Sequence, residues 1–214
     1  MRLNVCEIFY SLQGESTFSG LPCIFVRLSG CNLNCSWCDT RYAEEECHSM
    51  TLEQIQDKVG AYNCNLVEIT GGEPLLQEAT PALIALLLEK HYQVLLETNG
   101  SLSIQHVPEA CIKIVDVKCP SSKESHTFLP ENLNYLGKED EIKFVIGSVE
   151  DYEFAKAMIE QKLSGMPQKK IHLSPVLGLI APEALARRII EDNLHARLSL
   201  QQHKIIWTPD QRGV

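Results

Sequence analysis

Three cysteines, Cys31, Cys35 and Cys38, lie within eight residues at the spacing C-x3-C-x2-C. The apolar run 23–29 precedes them and is followed by Gly30, so the sequence predicts a loop that leaves the end of a buried strand. Thiolates grouped this closely can bind one soft metal centre. A common iron–sulfur cluster takes four cysteine ligands, whereas this loop supplies three. The pattern therefore indicates a catalytic cluster in which one iron is open to a non-protein ligand.

A structural zinc site is the alternative interpretation of the same loop. Such sites have four protein ligands, usually arranged as two pairs, and Cys47 or His48 would supply the fourth ligand here. This alternative predicts a binding module without catalysis: a colourless protein with one tightly held zinc and no iron. The alternation of strands and helices, with four polar strand ends, favours the catalytic interpretation.

The composition limits the partners and the compartment. The chain has 28 acidic and 19 basic side chains and a formal charge of −9, which argues against a large nucleic-acid surface. The N-terminus has no signal-peptide pattern, and no apolar run has the length of a membrane span. Nine cysteines without an export signal indicate reduced thiols rather than a disulfide framework. We therefore expect a cytoplasmic protein with neither nucleic acid nor membrane as a partner.

The 214 residues, of which 44% are apolar, are expected to form a single domain over residues 1–214. Thr51 and Gln54 have the spacing of a helix-capping box. The predicted strands are 3–10, 23–29, 66–70, 92–96, 111–117, 142–146, 171–175 and 203–207, and the predicted helices are 51–60, 80–90, 149–163 and 182–193. This alternation predicts an α/β fold with a parallel sheet covered by helices. A complete eightfold barrel takes about 250 residues, so we expect a partial, open, truncated TIM-like barrel.

Polar residues at the ends of predicted strands are candidate ligand contacts. The two glycines of Thr70–Pro74 would let the backbone approach a ligand at the end of the strand 66–70. Arg27 lies in an apolar strand and needs an anionic partner, which is either a substrate carboxylate or a structural ion pair. Taken alone, Gln13 and Glu15 are more typical of a polar turn than of a heterocycle-binding site. Thr40 is likewise more typical of a turn than of a Mg²⁺ site.

The cysteine loop resembles the signature of radical S-adenosylmethionine (SAM) enzymes, in which SAM binds the open iron and is cleaved to a 5′-deoxyadenosyl radical. The Thr70–Pro74 segment, about 30 residues beyond the cysteines, strengthens the resemblance. A closer resemblance, to the 7-carboxy-7-deazaguanine synthases, extends over almost the whole chain. Its motifs are Leu12–Glu15, Phe25–Arg27, the three cysteines with Asp39 and Thr40, Thr70–Pro74, Glu97–Gly100 and His203–Trp207.

The resemblance implies a radical SAM lyase that converts 6-carboxy-5,6,7,8-tetrahydropterin to 7-carboxy-7-deazaguanine, a ring contraction with loss of ammonia in queuosine and other 7-deazapurine biosynthesis. It implies three cofactors: a 4Fe-4S cluster on Cys31, Cys35 and Cys38, SAM, and Mg²⁺ on Thr40. A flavodoxin or ferredoxin-type electron donor and a homodimer are implied as partners. The implied SAM contacts are Trp37, Cys38, Asp39, Gly72, Lys118, Cys119, Pro120 and Ser121. The implied substrate contacts are Leu12, Gln13, Gly14, Glu15, Arg27, Thr70, Glu97, His203 and Pro209.

Two departures from the family pattern and one rival remain. Some relatives have Ser-Pro-Lys where this chain has Lys118–Ser121, which leaves the register of the SAM loop open by one or two residues. The chain continues beyond Pro209 to Val214, so a terminal carboxylate contact made in relatives would move to Val214 or be lost. The rival is a glycyl-radical-enzyme activating enzyme, which acts on a protein backbone. Arg27 and the Gln13–Glu15 segment favour a small anionic substrate instead.

Overall fold

The computed structural model describes residues 1–45, 47–208 and 211–214. The strands among these residues form one nine-stranded sheet. The strands are β1 (Arg2–Leu12), β2 (Pro22–Leu28), β3 (His48–Thr51), β4 (Leu66–Gly71), β5 (Gln93–Thr98), β6 (Ile112–Val117), β7 (Glu141–Ile146), β8 (Ile171–Pro175) and β9 (Arg197–Leu198). Their order across the sheet is β3-β1-β2-β4-β5-β6-β7-β8-β9. From β2 onward every neighbouring pair is parallel, which confirms the partial, open barrel.

Helices follow most of the parallel strands. They are α1 (Tyr42–Glu45), α2 (Leu52–Gly60), α3 (Thr80–Glu89), α4 (Val149–Lys162), α5 (Pro182–Glu191) and α6 (His203–Ile206), and short 3₁₀ turns lie at Pro120–Ser122, Ser125–Thr127 and Pro130–Tyr135. The predicted capping box is present at α2, where the Thr51 hydroxyl accepts the Gln54 N–H and the Gln54 side chain accepts the Thr51 N–H. The strands are covered accordingly, and all six residues of β7 are buried. No helix among the described residues has the length and apolar character needed to cross a membrane.

The parallel arrangement does not extend to the first strands of the sheet. β1 pairs antiparallel with both β2 and β3, so the expectation of a parallel sheet throughout is wrong there. Residues 13–21 join β1 to β2 without a helix, and a connection this short favours an antiparallel pair over a crossover. The antiparallel pairing matters for the site, because the connection between β1 and β2 then begins at the cavity, where residues 13–15 form part of the wall.

The predicted last strand, 203–207, is also wrong. The helix α6 lies there instead. The Ile206 N–H donates to Gln202 O and the Trp207 N–H donates to His203 O, both at 2.9 Å, which is the hydrogen-bond spacing of an α-helix. The sheet ends earlier, at β9. A short apolar run has no periodicity that distinguishes a strand from a helix. Here the Gln202 N–H donates to Gly14 O at 2.9 Å, and this contact holds the segment beside the β1–β2 connection rather than along the sheet.

Candidate active site

A cavity of about 220 Å³ lies at the carboxyl ends of the parallel strands. Its wall contains the ends of β2, β4, β5 and β6, the cysteine loop, and parts of the segments 13–15 and 201–204. Most of the residues singled out from the sequence line it: Leu12, Gln13, Gly14, Glu15, Arg27, Cys31, Cys35, Trp37, Cys38, Asp39, Thr40, Thr70, Gly72, Glu97, Lys118 and His203.

The cysteine loop is fixed by contacts with the 3₁₀ turn Pro120–Ser122. The Ser36 N–H donates to Ser122 O at 3.1 Å, and the Ser36 hydroxyl donates to Ser121 O at 2.6 Å. The Trp37 indole N–H donates to the Ser121 hydroxyl at 3.1 Å. These hydrogen bonds hold a loop that has no regular secondary structure in one position over the strand ends.

The glycine pair after β4 lets two chain segments approach closely. A Cβ atom on Gly72 would lie 2.2 Å from the carbonyl oxygen of Gly30 and 2.7 Å from the Cβ of Cys31. The Glu73 N–H donates to Gly30 O at 2.9 Å, which joins the end of β4 to the start of the cysteine loop. Only glycine at position 72 permits this contact without moving Cys31.

We expect Gly72→Ala to displace the cysteine loop, because the added methyl group overlaps backbone rather than a flexible side chain. The cost in stability should be about 1–3 kcal/mol, and less iron should be retained after anaerobic reconstitution. Iron and sulfide per chain and the free energy of unfolding measure both effects. Gly165→Ala is the matched control, since nothing lies within 4 Å of its added Cβ. Wild-type iron content in the Gly72 variant would show that the close approach is dispensable.

A buried carboxylate that follows the glycine pair, Glu73, links this region to the end of the next strand, β5. Glu73 accepts hydrogen bonds from Leu75 N at 2.9 Å, from the Thr98 hydroxyl at 2.8 Å and from Asn99 N at 2.7 Å. The Asn99 amide nitrogen in turn lies 4.0 Å from Cys31 Sγ. Glu73 therefore ties the ends of β4 and β5 together directly behind the first cysteine.

The three thiols of the cysteine loop all line the cavity. Burial raises the pKa of Cys31, and it raises the pKa of Cys35 to about 11, so both need a cation to become thiolates. Among the described residues, no three His, Cys, Asp or Glu side chains lie close enough together for one metal ion. A four-iron cluster on these three cysteines would leave one iron open to a non-protein ligand. Cys47 and His48, the fourth ligands of the zinc alternative, are exposed and lie outside the cavity wall.

Arg27 makes a structural ion pair and still faces the cavity. A bulge in β1 places Glu7 opposite Arg27, and Glu7 Oε1 accepts the Arg27 Nε–H at 2.8 Å and the Tyr42 hydroxyl at 2.9 Å. The guanidinium lies over the rings of Phe9 and Tyr42, at 5.7 and 5.8 Å from their centroids. No described residue hydrogen-bonds its terminal nitrogens. The side chain is thus rigidly held, with its fork available to an anion.

The cavity wall also contains residues that the sequence patterns did not indicate, among them Glu68, Asp116, Lys143 and Gln201. Burial is the main cause that raises the pKa of Glu68 well above its usual value, and the negative charges of Glu97 and Glu15 raise it further. Its carboxyl group is hydrogen-bonded to the Gln13 side-chain amide. Asp116 pairs with Lys118 at 2.7 Å. The sequence does contain an indication that Lys143 is a site residue. A lysine inside the apolar run 142–146 is as unusual as the arginine in β2.

The segments 13–15 and 201–204 meet over the cavity. A Cβ atom on Gly14 would lie 2.3 Å from His203 Nδ1, so glycine is required at this contact. Gln201 Nε2 donates to Glu15 Oε1 at 2.8 Å, and Lys204 pairs with Asp39 at 2.6 Å. The two segments therefore form a connected part of the cavity wall.

A few predicted contacts lie elsewhere. Cys119 is fully buried in the hydrophobic core and does not line the cavity. Pro120 and Ser121 form the turn beneath the cysteine loop, and the Ser121 hydroxyl donates to Asp151 at 2.5 Å. Pro209 lies outside the described residues. Val214, in contrast, lines the cavity.

An open parallel barrel with three thiols at its carboxyl edge defines the radical SAM class of proteins, and residues 25–121 match the family described as the Radical SAM superfamily. A 7-carboxy-7-deazaguanine synthase from Koribacter versatilis is 44% identical over 226 residues, covering 99% of this chain and 100% of the relative. Another from Chlorobaculum tepidum is 44% identical over 99% of this chain and 97% of the relative. The chain belongs to the 7-carboxy-7-deazaguanine synthase family.

Solved structures agree with this assignment. The crystal structure of QueE from Escherichia coli superposes with a TM-score of 0.76 at 26% identity, covering 95% of each chain. That of Streptococcus suis SuiB superposes with a TM-score of 0.55 at 15% identity, covering 80% of this chain and 47% of that one. The second likeness concerns the fold alone.

Proposed function

We propose that this chain converts 6-carboxy-5,6,7,8-tetrahydropterin to 7-carboxy-7-deazaguanine with loss of ammonia. The observation that carries the proposal is that one cavity joins the three thiols to the free fork of Arg27 and to Glu97. A thiol triad beside an anion-binding arginine suits a cofactor and a small acidic substrate placed side by side. The full-length relatives named 7-carboxy-7-deazaguanine synthase support the same reaction.

Cys31, Cys35 and Cys38 would hold the 4Fe-4S cluster, and SAM would lie along Trp37–Asp39, Gly72 and Lys118–Ser121. When bound, this pair supplies a carbon-centred radical that removes hydrogen from the substrate. Lys118 lies with Nζ 5.8 Å from the centre of the Trp37 ring, and it is kept in place by Asp116. Since the Cys119 side chain is in the core, any contact with SAM at that position would come from its backbone.

The remaining cavity residues would bind and orient the pterin. Arg27 would take the carboxylate in its fork, while Thr40, whose hydroxyl is 3.7 Å from Cys38 Sγ, would ligate Mg²⁺ beside it. Glu97 and the segment 12–15 would contact the ring, with Thr70 and His203 at its edges, and Pro209 completes the proposed set. The packed segments 13–15 and 201–204 would exclude water from the reacting carbon.

Other parts of the proposal concern the setting of the reaction. We propose one functional domain over residues 1–214, a homodimer, a flavodoxin or ferredoxin-type electron donor, and a cytoplasmic location without nucleic acid or membrane as a partner. The continuous sheet from β3 to β9 supports the single domain. The nine free cysteines support a reducing compartment, and the acidic balance argues against a nucleic-acid partner.

We expect the anaerobically reconstituted protein to form 7-carboxy-7-deazaguanine when it is given SAM, dithionite, Mg²⁺ and the carboxytetrahydropterin. Mass spectrometry of the product measures the reaction, and omission of Mg²⁺ tests that ion separately. Formation of 5′-deoxyadenosine without the deazaguanine would keep the radical SAM class and refute the substrate. A glycyl radical on a protein partner, detected by electron paramagnetic resonance, would favour the activating-enzyme rival.

A further inference from the structure

Lys143 lies at the centre of the polar side of the cavity. Its Nζ is 2.6 Å from Glu15 Oε2, 2.5 Å from Glu97 Oε1 and 4.0 Å from Asp116 Oδ2. The residue comes from β7 and is nearly inaccessible to solvent. Burial alone would lower the pKa of Lys143, but Glu15 and Glu97 raise it well above its usual value. One buried ammonium group therefore serves two carboxylates from different parts of the chain.

Glu15 and Glu97 differ in whether a carboxylate oxygen remains available to accept a hydrogen bond from a ligand. Both oxygens of Glu15 are occupied, one by Lys143 and the other by Gln201 Nε2. Burial would raise the pKa of Glu15, but the charges of Lys143 and His203 and the hydrogen bonds from Lys143 and Gln201 lower it to about 2. Glu97 gives only Oε1 to Lys143, and no described residue hydrogen-bonds its Oε2. About a quarter of the Glu97 side chain, 23%, remains accessible in the cavity.

We propose that Lys143 is a positioning residue for the substrate: it fixes Glu97 so that this carboxylate accepts hydrogen bonds from the donor edge of the pterin's aminopyrimidine ring. Glu15 would then be a brace for the segment 13–15 rather than a side-chain ligand. A pterin carries a ring N–H and an exocyclic amino group on one edge, and an ionised carboxylate is the matching acceptor. The inference rests on the proposed function and assigns a role within that site.

The requirement for a cation follows from the charges around the ring site. Glu15, Glu97 and Asp116 all lie within 4.0 Å of Lys143 Nζ, and Glu68 carries a fourth carboxyl group on the same wall. Without the ammonium, Glu15 and Glu97 would repel each other instead of sharing one cation. Glu97 would also lose the ion pair that holds its carboxylate in place.

Lys143→Met tests the inference through binding rather than turnover alone. With the cluster oxidised and SAM present, the dissociation constant for 6-carboxytetrahydropterin should rise about 10- to 100-fold, as expected for the loss of hydrogen bonds to a charged group. KM should rise by a similar factor while kcat changes by much less. Lys143→Arg should recover part of the affinity.

Lys113→Met is the matched control. Lys113 is also a buried lysine in a parallel strand, paired with Asp140 at 2.9 Å, but it lies in β6 outside the cavity wall. Its replacement should lower stability without changing the pterin dissociation constant. Should Lys143→Met fail to fold, Glu97→Gln supplies the test, because it keeps the shape and removes the ionised acceptor.

Unchanged pterin affinity in soluble Lys143→Met, or in Glu97→Gln, would overturn the positioning role. An equal loss of affinity in Lys113→Met would also overturn it, since the effect would then belong to any buried lysine. A wild-type protein that cleaves SAM but neither binds nor converts the pterin would instead refute the proposed function, and the inference with it.

Discussion

Cys35→Ala is expected to abolish both SAM cleavage and product formation, with activity falling to background. The two remaining thiols cannot hold a four-iron cluster that already lacks one protein ligand. Cys35 is buried, and its carbonyl oxygen accepts a hydrogen bond from Arg41 at 3.0 Å, so the backbone should stay in place when only the sulfur is removed. Iron, sulfide and zinc per chain, the visible absorbance and 5′-deoxyadenosine formation measure the outcome.

Cys47→Ala is the control that separates the cluster from the zinc alternative. Cys47 is exposed and does not line the cavity, so its removal should leave iron content and activity unchanged. A zinc site completed by Cys47 would lose its metal in this variant instead. Retention of SAM cleavage by Cys35→Ala would contradict the cluster assignment itself.

The parts of the site predicted from the sequence are those that local patterns encode. The cysteine loop, the glycine pair at Gly72 and the arginine in β2 stand out because each breaks an apolar strand or follows its end. The capping box at Thr51 and the strands from β4 to β8 were also predictable, since periodicity and strand propensity act over a few residues. The comparisons confirm the family that these motifs indicated.

The parts that were missed depend on contacts between distant residues. Glu15 and Lys143 are 128 positions apart, and Gln201 and Glu15 are 186 apart, so no local pattern pairs them. The same holds for α6, whose position beside Gly14 follows from a contact across almost the whole chain. The residues of His203–Trp207 are compatible with a strand, and the contact that makes this segment a helix instead cannot be inferred from them.

Arg27 carries the second large expected effect, since it would bind the carboxylate that distinguishes the proposed substrate. Arg27→Met should raise KM for the carboxytetrahydropterin by roughly 30-fold to several thousandfold, which corresponds to about 2–5 kcal/mol for a buried charge pair. Glu7 keeps its hydrogen bond from Tyr42 in the variant, so part of the local structure is retained. Steady-state kinetics and pterin binding measure the change.

The comparison of substrates makes this prediction specific. A tetrahydropterin without the 6-carboxylate should bind the wild type weakly, and Arg27→Met should weaken it little further, because the lost interaction is the one with the carboxylate. The affinity of Arg27→Lys for the carboxytetrahydropterin should lie between those of the wild type and Arg27→Met. Lysine keeps the charge but lacks the planar fork and the stacking on Phe9 and Tyr42. Arg187→Met, in an exposed pair with Glu183, should change nothing. If Arg27→Met weakened both pterins equally, the residue would support the shape of the site rather than bind the carboxylate, and the structural ion pair with Glu7 would be its main role.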